Sequence, residues 1–347
     1  MTKILTIIGT RPEIIRLSRI IPKLDKVFNN ILVHTGQNYD FELDKIFFNE
    51  LKVRKPDYYL AAKGSFAKQL AIITSKLETI IIKEKPKKFV VLGDTNSSLG
   101  AIVARRLGLK VYHLEAGNRS YLKNSPEEIN RRIIDHISNI NMTYTYKSCD
   151  NLLSEGIKKK NIFVIGNPIT EVINYYKKKI NSSKILNKLK ISPNNYVVCT
   201  LHREENVDRK EKFSTYIKLL NLISDETKIP IIFSVHPRTK KKIKKFNIKV
   251  SKKIILIKPL GFFDFSKLEF NSKFLITDSG TVQEEASIYR KLCLVFRDST
   301  ERPETIKNGD ALLLNKIINK KKLKKILNIN LSPNTIKEYR VPNVSQI

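Results

Sequence analysis

The sequence predicts an α/β protein of two Rossmann-like domains, each a doubly wound parallel sheet. The chain has 347 residues, which is long for one compact domain and sufficient for two hydrophobic cores. Short apolar runs rich in Ile and Val alternate with segments of helical periodicity, as in parallel sheets covered by helices. This alternation stops in a stretch rich in Lys, Asn and Ser, Tyr175–Ser192, and then resumes.

The predicted strands follow the same rhythm in both halves of the chain. In the first half they are Ile4–Gly9, Ile31–Gly36, Phe89–Asp94, Val111–Gly117 and Ile162–Asn167. In the second half they are Tyr196–His202, Ile231–Pro237, Ile254–Gly261, Lys273–Gly280 and Leu292–Asp298. We therefore predict an N-terminal domain at residues 1–175, a C-terminal domain at residues 192–330 and a C-terminal segment at residues 331–347.

Composition excludes several classes of protein. The formal net charge of +32 permits an anionic partner, but the lysines are scattered and accompany neither a reading helix nor aromatics interleaved with Arg. Nucleic acid is therefore not the expected partner. Runs of about eighteen apolar residues and a signal peptide are both missing, so we expect a cytoplasmic protein without a membrane role. Cys149, Cys199 and Cys293 lie far apart and form no CxxC pair, which is typical of reduced core thiols.

The segment around Glu115 is the most informative part of the chain. Glu115 ends an apolar run, a polar loop follows, and Pro126 opens a segment of helical periodicity. The pattern predicts a strand, a loop and a helix whose first turn contains Glu127 and Glu128. Three carboxylates would then lie near one loop. Acids in a first helical turn also suit the helix dipole, so plain capping is the alternative.

Polar side chains recur at the ends of the predicted strands, where ligands bind in open α/β sheets. They are Arg11, Asp94, Glu115, His202, His236, Asp278, Ser279 and Arg297. Their shared placement predicts a site in a cleft between two facing domains.

Two strand-to-helix corners have the character of phosphate seats. Asp278–Thr281 should place Ser279 or Gly280 at a helix N-terminus, where free amides and a positive dipole favour an anion. An ordinary N-cap is the alternative for Ser279. At Gly9–Glu13, Arg11 lies beside a second corner and could hold a phosphate by paired hydrogen bonds, with a solvated Arg at a capping corner as the alternative.

Further groups extend this prediction. His202–Glu205 and Arg297–Glu304 add cations at strand ends, so together with the corners they suit a diphosphate. Glu285 lies further along the helix that follows Gly280 and could reach a ribose diol. The isolated His113 and His136 are expected to be structural, because no metal-ligand spacing such as HExxH occurs.

Eight motifs occur in the order of a known family. They are GTRPE at Gly9–Glu13, HTGQNYD at His34–Asp40, GDTNS at Gly93–Ser97, EAGNR at Glu115–Arg119, PEEINRRIIDH at Pro126–His136, HREEN at His202–Asn206, DSGTVQEE at Asp278–Glu285 and RDSTERPE at Arg297–Glu304. From about Lys3 to Ser345 the chain resembles the non-hydrolysing UDP-N-acetylglucosamine 2-epimerases. EAGNR followed by PEEINRRIIDH is most similar to the branch that converts UDP-N-acetyl-L-talosamine to UDP-N-acetyl-L-fucosamine.

The resemblance implies a fold of glycosyltransferase-B type, with UDP held mainly by the second domain and the sugar in the cleft. It implies a C2 epimerase for surface polysaccharide biosynthesis. UDP is eliminated between C1 and C2, which leaves a glycal, and is then re-added with C2 protonated from the other face. Neither a metal nor a nicotinamide cofactor is implied. A homodimer formed through the first domain is implied as well.

The resemblance also assigns roles to matching residues. The implied catalytic residues are Asp94, Glu115, Glu127 and His202. The implied substrate and UDP contacts are Arg11, Arg16, Arg119, His236, Phe263, Ser279, Gly280, Thr281, Glu285 and Arg302. Among these, the diphosphate is assigned to Arg11, His202, Ser279 and Gly280, and the ribose to Glu285. Close carboxylates are expected to push their pKa values apart, as a two-step proton exchange requires. Glu128 is expected only to cap its helix.

Several departures from the common UDP-N-acetylglucosamine epimerases favour a different sugar. Arg16 replaces a Lys, Thr281 replaces a second Gly, and Asn118 replaces the Leu of EAGLR. Gln37–Tyr39 replaces the Gln-His-Arg of an allosteric motif, so activation by a second UDP-sugar is not expected. The chain ends at VPNVSQI, where relatives continue into a last helix, and this is expected to loosen closure.

Other activities stay open at this point. UDP-N-acetylglucosamine, giving UDP-N-acetylmannosamine, and a UDP-2,3-diacetamido-glucuronate are the alternative substrates. A glycosyltransferase of the same fold is a more distant alternative, and such an enzyme would need no carboxylates around C2.

Overall fold

A computed structural model of the chain describes residues 1–37, 41–122, 125–314, 320–329, 331 and 334–347. They form two compact units, Met1–Tyr175 with Lys337–Ile347, and Tyr176–Ile336. Each unit contains one parallel sheet, which confirms the predicted class of two parallel-sheet α/β domains. None of the helices in these described ranges has the length and apolarity needed to cross a membrane.

The first unit has a seven-stranded sheet in the order β3-β2-β1-β4-β5-β6-β7. Its strands are β1 Lys3–Ile8, β2 Asn29–His34, β3 Tyr58–Tyr59, β4 Lys88–Leu92, β5 Lys110–Leu114, β6 Ile140–Thr143 and β7 Ile162–Val164. Its helices are α1 Arg11–Leu17, α2 Ile20–Val27, α3 Phe41–Glu50, α4 Phe66–Glu84, α5 Gly100–Arg106, α6 Pro126–Ile137, α7 Tyr146–Ser154 and α8 Pro168–Ser182, within which the division between the units falls. Short 3₁₀ helices lie at Asn96–Leu99, Lys159–Asn161, Lys337–Arg340 and Val344–Gln346.

The second unit has a six-stranded sheet in the order β10-β9-β8-β11-β12-β13. Its strands are β8 Val197–Thr200, β9 Ile231–Ser234, β10 Ile254–Ile257, β11 Leu275–Thr277, β12 Cys293–Val295 and β13 Ala311–Leu313. Its helices are α9 Ile185–Leu189, α10 Glu204–Val207, α11 Lys210–Thr227, α12 Pro237–Lys245, α13 Phe262–Asn271, α14 Gly280–Tyr289, α15 Pro303–Lys307 and α16 Lys320–Leu327. All ten predicted strands are present, and β3, β6 and β13 are additional.

The strands read as continuous apolar runs because helices cover both faces of each sheet. In β8, Val197 and Cys199 pack into one core cluster of the second unit, whereas Val198 packs into the other. Successive strand residues point to opposite faces, so both faces need apolar side chains. All three cysteines are buried and unpaired, in agreement with the predicted core thiols.

The strand order reverses between β1 and β4 in the first unit and between β8 and β11 in the second. Such reversals are the switch points at which open α/β sheets bind ligands, beyond the carboxyl ends of the strands. Gly9–Arg11 and Asp94 follow the two strands of the first reversal, and His202 and Asp278 follow those of the second. The topology therefore places the predicted chemistry at one switch point in each unit.

Candidate functional site

At the corner after β1, an acid of the following helix α1 accepts hydrogen bonds from the free backbone amides. Glu13, in the first turn of α1, accepts hydrogen bonds from the backbone amides of Gly9 at 2.5 Å and Thr10 at 3.2 Å. Thr95 Oγ1, which follows Asp94 in the chain, donates to the other Glu13 oxygen at 2.7 Å. A carboxylate of the protein therefore occupies these amides, in agreement with the capping alternative for this corner. The predicted phosphate role of Arg11 depends on its side chain alone.

Glu13 has an unusual protonation equilibrium. It is 2% exposed, and burial raises its pKa to about 7, although hydrogen bonds from Thr95, Gly9 and Thr10 act in the opposite direction. Glu13 was not among the residues predicted from the sequence to be functional. The spacing of Thr10 and Glu13, which matches a capping box, is the signal that could have found it.

Glu115 lies directly after β5 and faces a cation. Its oxygen Oε2 is 3.8 Å from Nε of Arg16, and both side chains are largely buried. The backbone of Glu115 has a φ of 66°, which is uncommon for a residue other than glycine and is found preferentially at functional sites. Arg16 therefore stabilises the charge of a carboxylate that a strained backbone presents at the switch point.

Asp94 is held by two residues of α6. Its carboxylate pairs with Arg131, and its backbone carbonyl accepts a hydrogen bond from Asn130 Nδ2 at 2.9 Å. Because β4 and β5 are neighbours in register, Asp94 and Glu115 follow adjacent strand ends. Two predicted acid–base residues thus each have an arginine partner at the same sheet edge.

The two acids in the first turn of α6 do different things. Glu127 is partly buried and accepts a hydrogen bond from Ser125 Oγ at 2.8 Å. Glu128 is buried and accepts from the Ser120 backbone amide at 2.8 Å and from Ser120 Oγ at 3.1 Å. The prediction that Glu128 only caps its helix is wrong, because its carboxylate anchors the loop that precedes the helix.

Arg119 is an interior residue of the first unit. It is 1% exposed, and it binds both carboxylate oxygens of Glu155, at 2.8 and 2.6 Å, and Asp135 at 2.7 Å. His113 lies in the same network, between Asp135 at 2.8 Å and the carbonyl of Gly93 at 2.9 Å. The prediction of a substrate contact at Arg119 is corrected to one of supporting the loop, because acidic partners enclose its guanidinium. The structural role predicted for His113 is confirmed.

Asp278 lies at the switch point of the second unit and accepts hydrogen bonds from the residues around it. It is fully buried and accepts hydrogen bonds from the backbone amides of His202 and Arg203, both at 3.0 Å, and from Asn206 Nδ2 at 3.1 Å. Burial alone would raise its pKa, but His202, the Arg203 amide and Asn206 lower it to about 2. His202 Nδ1 is 3.1 Å from Asp278, and the His202 side chain is 46% exposed. The charged carboxylate thus orients an accessible imidazole.

The N-terminus of α14 is built differently from that of α1. Helix α14 begins at Gly280, and Ser279 Oγ bonds Thr281 Oγ1 at 2.9 Å. Within the described part of the chain, the Ser279 side chain accepts no bond from the first-turn amides of α14. A Cβ at Gly280 would lie 2.7 Å from Oε1 of Glu301, so a larger residue here would displace this carboxylate. The ordinary N-cap alternative for Ser279 is therefore wrong, and the helix end is suited to an anion.

Glu301 gathers three arginines beneath this corner. One of its oxygens is 3.2 Å from Arg203 Nη2 and 3.9 Å from Arg302 Nη1, and the other is 2.5 Å from Arg297 Nη1. Arg302 is 2% exposed and also pairs with Glu284. Sequence reasoning missed Arg203 and Glu301 as individual residues, although both lie in motifs that it had found.

The remaining predicted contacts lie on other helices of the second unit. His236 caps α12, and its Nδ1 accepts a hydrogen bond from the Arg238 amide at 3.3 Å. Phe263 lies in the first turn of α13, with its ring centroid 5.3 Å from that of Tyr176 and 5.3 Å from Lys179 Nζ. Their predicted contacts with substrate stay predictions.

The segment Gln37–Tyr39, which replaces the Gln-His-Arg of an allosteric motif, lies partly outside the described residues. Asn38 and Tyr39 fall there, whereas Gln37 Oε1 accepts hydrogen bonds from Ser97 N at 3.0 Å and Ser97 Oγ at 2.7 Å. Gln37 therefore contacts the helix that follows Asp94.

Comparison with known proteins identifies the family of the chain. A model of the family described as UDP-N-acetylglucosamine 2-epimerase matches residues 23–342. A UDP-N-acetylglucosamine 2-epimerase of Methanocaldococcus jannaschii is 43% identical over 95% of this chain and 92% of its own length. A UDP-2,3-diacetamido-2,3-dideoxy-D-glucuronate 2-epimerase of Pseudomonas aeruginosa is 35% identical over 90% of this chain and 88% of its own.

The solved structures include a crystal structure of the M. jannaschii UDP-GlcNAc 2-epimerase in complex with UDP-GlcNAc and UDP. It superimposes with a TM-score of 0.91 at 40% identity and covers 99% of each chain. This likeness confirms the predicted fold of glycosyltransferase-B type.

Proposed function

The chain belongs to the UDP-N-acetylglucosamine 2-epimerase family, and we propose that it inverts C2 of a UDP-linked N-acetyl amino sugar. It is accordingly an isomerase. The observation that carries the proposal is the pairing of Glu115 with Arg16 and of Asp94 with Arg131 at one sheet edge. Carboxylates held in this way are suited to accept and return a proton.

The proposed reaction has two steps. In the first, the C2–H bond breaks and its proton passes to a carboxylate, while the C1–O bond breaks and UDP leaves with the electron pair. The product is a glycal with a C1–C2 double bond. In the second step, UDP re-adds at C1 and a proton reaches C2 from the opposite face. Two proton-transfer groups are needed, and we propose Asp94 and Glu115 for them, with Glu127 as a third member.

The reaction also requires stabilisation of the leaving UDP. Negative charge develops on the diphosphate as the C1–O bond breaks, and dipoles aimed at that charge lower the barrier. We propose that the N-terminus of α14, at Ser279 and Gly280, and the imidazole of His202 supply this stabilisation. Support comes from the open first turn of α14 and from the accessible His202 ring.

Three sugars are candidates for the substrate, and the name of the P. aeruginosa relative supports the UDP-diacetamido-glucuronate. The name of the M. jannaschii relative supports UDP-N-acetylglucosamine. UDP-N-acetyl-L-talosamine, which would give UDP-N-acetyl-L-fucosamine for a surface polysaccharide, is supported by residues beside the carboxylates. Asn130 and Arg131 lie in the stretch similar to that branch, and both hold Asp94. Asn118 supports it less, because its Oδ1 is buried and accepts from Ser148 Oγ at 2.7 Å.

Deuterium exchange tests the activity and the sugar together. The protein is incubated in deuterated water with UDP-N-acetylglucosamine, UDP-N-acetyl-L-talosamine or the UDP-diacetamido-glucuronate, and C2 is examined by NMR and mass spectrometry. We expect deuterium at C2 of the true substrate. If UDP binds but none of the three sugars exchanges, the proposal is wrong.

Replacing Glu115 with Gln separates an epimerase from a glycosyltransferase. We expect exchange to fall by about a hundredfold or more, since a positioned acid–base group contributes at least that much, while UDP affinity is retained. Glu78→Gln, the same change at an exposed position of α4, is the matched control and should leave exchange unchanged. Unaltered exchange in the Glu115 variant would remove this residue from the mechanism. Transfer of the sugar to an acceptor without exchange would favour the glycosyltransferase.

We also propose the homodimer that the family resemblance implies. Sedimentation equilibrium gives the mass of the assembly, and a monomer at all concentrations would contradict it.

A further inference from the structure

Two carboxyl groups meet inside the second unit, away from the corner at Ser279. Glu269 lies on α13 and is 0% exposed, and Glu285 lies on the neighbouring helix α14 and is 7% exposed. The two side chains are within hydrogen-bond reach of each other. Among the described residues, no N–H or O–H donor reaches either carboxyl oxygen of Glu269. A hydrogen bond that Glu269 donates to Glu285 would satisfy the pair.

Physical chemistry decides which of the two acids carries the proton. Two carboxyl groups in contact cannot both be charged at low cost, so one proton stays with the pair. Burial, and then the charge of Glu285, raise the pKa of Glu269 well above its ordinary range. The proton therefore belongs to the more deeply buried Glu269.

Three other titratable groups of the described residues lie around Glu269. Tyr196, Tyr289 and Cys293 are each buried, and burial raises the pKa of each. All three are consequently neutral near pH 7. They offer Glu269 no positive charge that would favour its ionisation.

We propose that Glu269 is a positioning residue, whose protonated carboxyl donates a hydrogen bond to one oxygen of Glu285 and holds the other oxygen toward a ribose diol. The inference depends on the proposed function and on the ribose contact that the family resemblance implies for Glu285. A glutamate side chain on a helix otherwise has several rotamers, and fixing one before the ligand arrives reduces the entropy lost on binding. The pair would thereby set the preference for a ribonucleotide over a 2′-deoxyribonucleotide.

The test compares the affinities of UDP and 2′-deoxy-UDP by titration calorimetry. We expect the wild type to prefer UDP by about tenfold or more, the usual value of a hydrogen bond to a charged group. Glu269→Gln keeps a neutral donor of the same size and should keep this preference. Glu269→Met keeps the volume without a donor and should bring the ratio of affinities close to one. Glu285→Gln removes the charged acceptor itself and shows how the affinities change when the preference for UDP is lost. Thermal unfolding verifies that each variant is folded.

A second measurement does not depend on the Met variant being folded. As the pH rises and Glu269 ionises, the preference of the wild type for UDP should decline, whereas that of Glu269→Gln should stay constant. The uracil ring ionises alike in both ligands, so the ratio of affinities isolates the ribose.

The outcomes distinguish the inference from the function it depends on. A wild type that does not bind UDP overturns the proposed function. Two results overturn the inference alone. In the first, the preference for UDP over 2′-deoxy-UDP is lost in Glu285→Gln but kept in Glu269→Met. In the second, the preference of the wild type is the same at all pH values. Binding of UDP without any preference overturns both the ribose assignment of Glu285 and the inference.

Discussion

The corner after β1 in the first unit and the corner after β11 in the second both lead from a buried strand into a helix at a switch point. In the first, Glu13 is the third residue of α1 and turns back onto the amides of Gly9 and Thr10. The third residue of α14 is Val282, which cannot accept a hydrogen bond. The amides that precede α1 are therefore occupied by the carboxylate of Glu13, whereas the N-terminus of α14 is suited to an anion. A single position in the first turn decides between these outcomes.

The buried acids at the two corners also differ in the charge that they carry. Glu13 receives hydrogen bonds from neutral groups, and burial raises its pKa to about 7. Asp278 is equally buried, but its partners include His202 and lower its pKa to about 2. The first corner can hold a proton near neutral pH, whereas the second is permanently negative and fixes the groups around it. Burial alone does not determine protonation, because the number and charge of the donors decide it.

The largest expected effect concerns Glu13, and it should make stability respond to alkali. The folded protein holds the Glu13 proton more tightly than the unfolded chain, so its contribution is fully present below about pH 4.5 and is lost as the pH rises through about 7. The loss amounts to about 3 kcal/mol. Glu13→Gln cannot ionise and should not show it. Urea unfolding of both proteins across this range measures the difference, with Glu78→Gln as the exposed control. A difference in unfolding free energy that does not change with pH would contradict the assignment.

Asp278 should give a smaller effect of the opposite sign. Its folded pKa of about 2 lies below the ordinary 3.8, so its contribution is present above about pH 3.8 and is lost as the pH falls through about 2. The loss is about 2 kcal/mol, and Asp278→Asn should lack it. Unfolding free energies measured between about pH 4 and pH 2 test this, with exposed Asp150→Asn as the matched control. Parallel pH profiles for wild type and Asp278→Asn would remove the proposed contrast between the corners.

The smallest effect separates a binding helix end from a structural one. Thr145 caps α7 by accepting from the Ser148 amide at 3.2 Å, so Thr145→Ala should cost about 1 kcal/mol of stability and leave UDP affinity unchanged. Ser279 makes no such bond within the described residues, so Ser279→Ala should cost less than about 0.5 kcal/mol but weaken UDP binding. Thermal unfolding and calorimetry measure both quantities. Equal losses of stability in the two variants would show that Ser279 is an ordinary cap.

Much of the site could be predicted because its residues lie at positions that local patterns mark. Pro126 opens α6 as predicted, and Asp94, Glu115 and Ser279 all follow strands that the apolar runs had indicated. At the Gly9 corner the sequence left a phosphate contact of Arg11 and a capping corner both open, although the spacing of Thr10 and Glu13 was visible. A capping box and a phosphate seat begin with the same strand-to-helix pattern, and only the third helical residue separates them.

Strands β3, β6 and β13 were not predicted for a related reason. β3 has two residues, which is too short for a pattern. In β6 the buried Asn141 interrupts the apolar run. Their pairing with neighbouring strands defines them.

Local residue patterns were sufficient to predict the α/β class, the ten principal strands, and the strand ends at which the acids and cations lie. These features follow from residue periodicity and turn chemistry, which act over a few positions. The partner of each charged group, in contrast, depends on how distant segments pack together. Arg119 finds Glu155 at a separation of 36 residues, and Arg131 finds Asp94 at a separation of 37. Glu269 likewise meets Glu285 only because α13 packs against α14. Charge and protonation depend on these distant partners and on burial, and local sequence specifies neither.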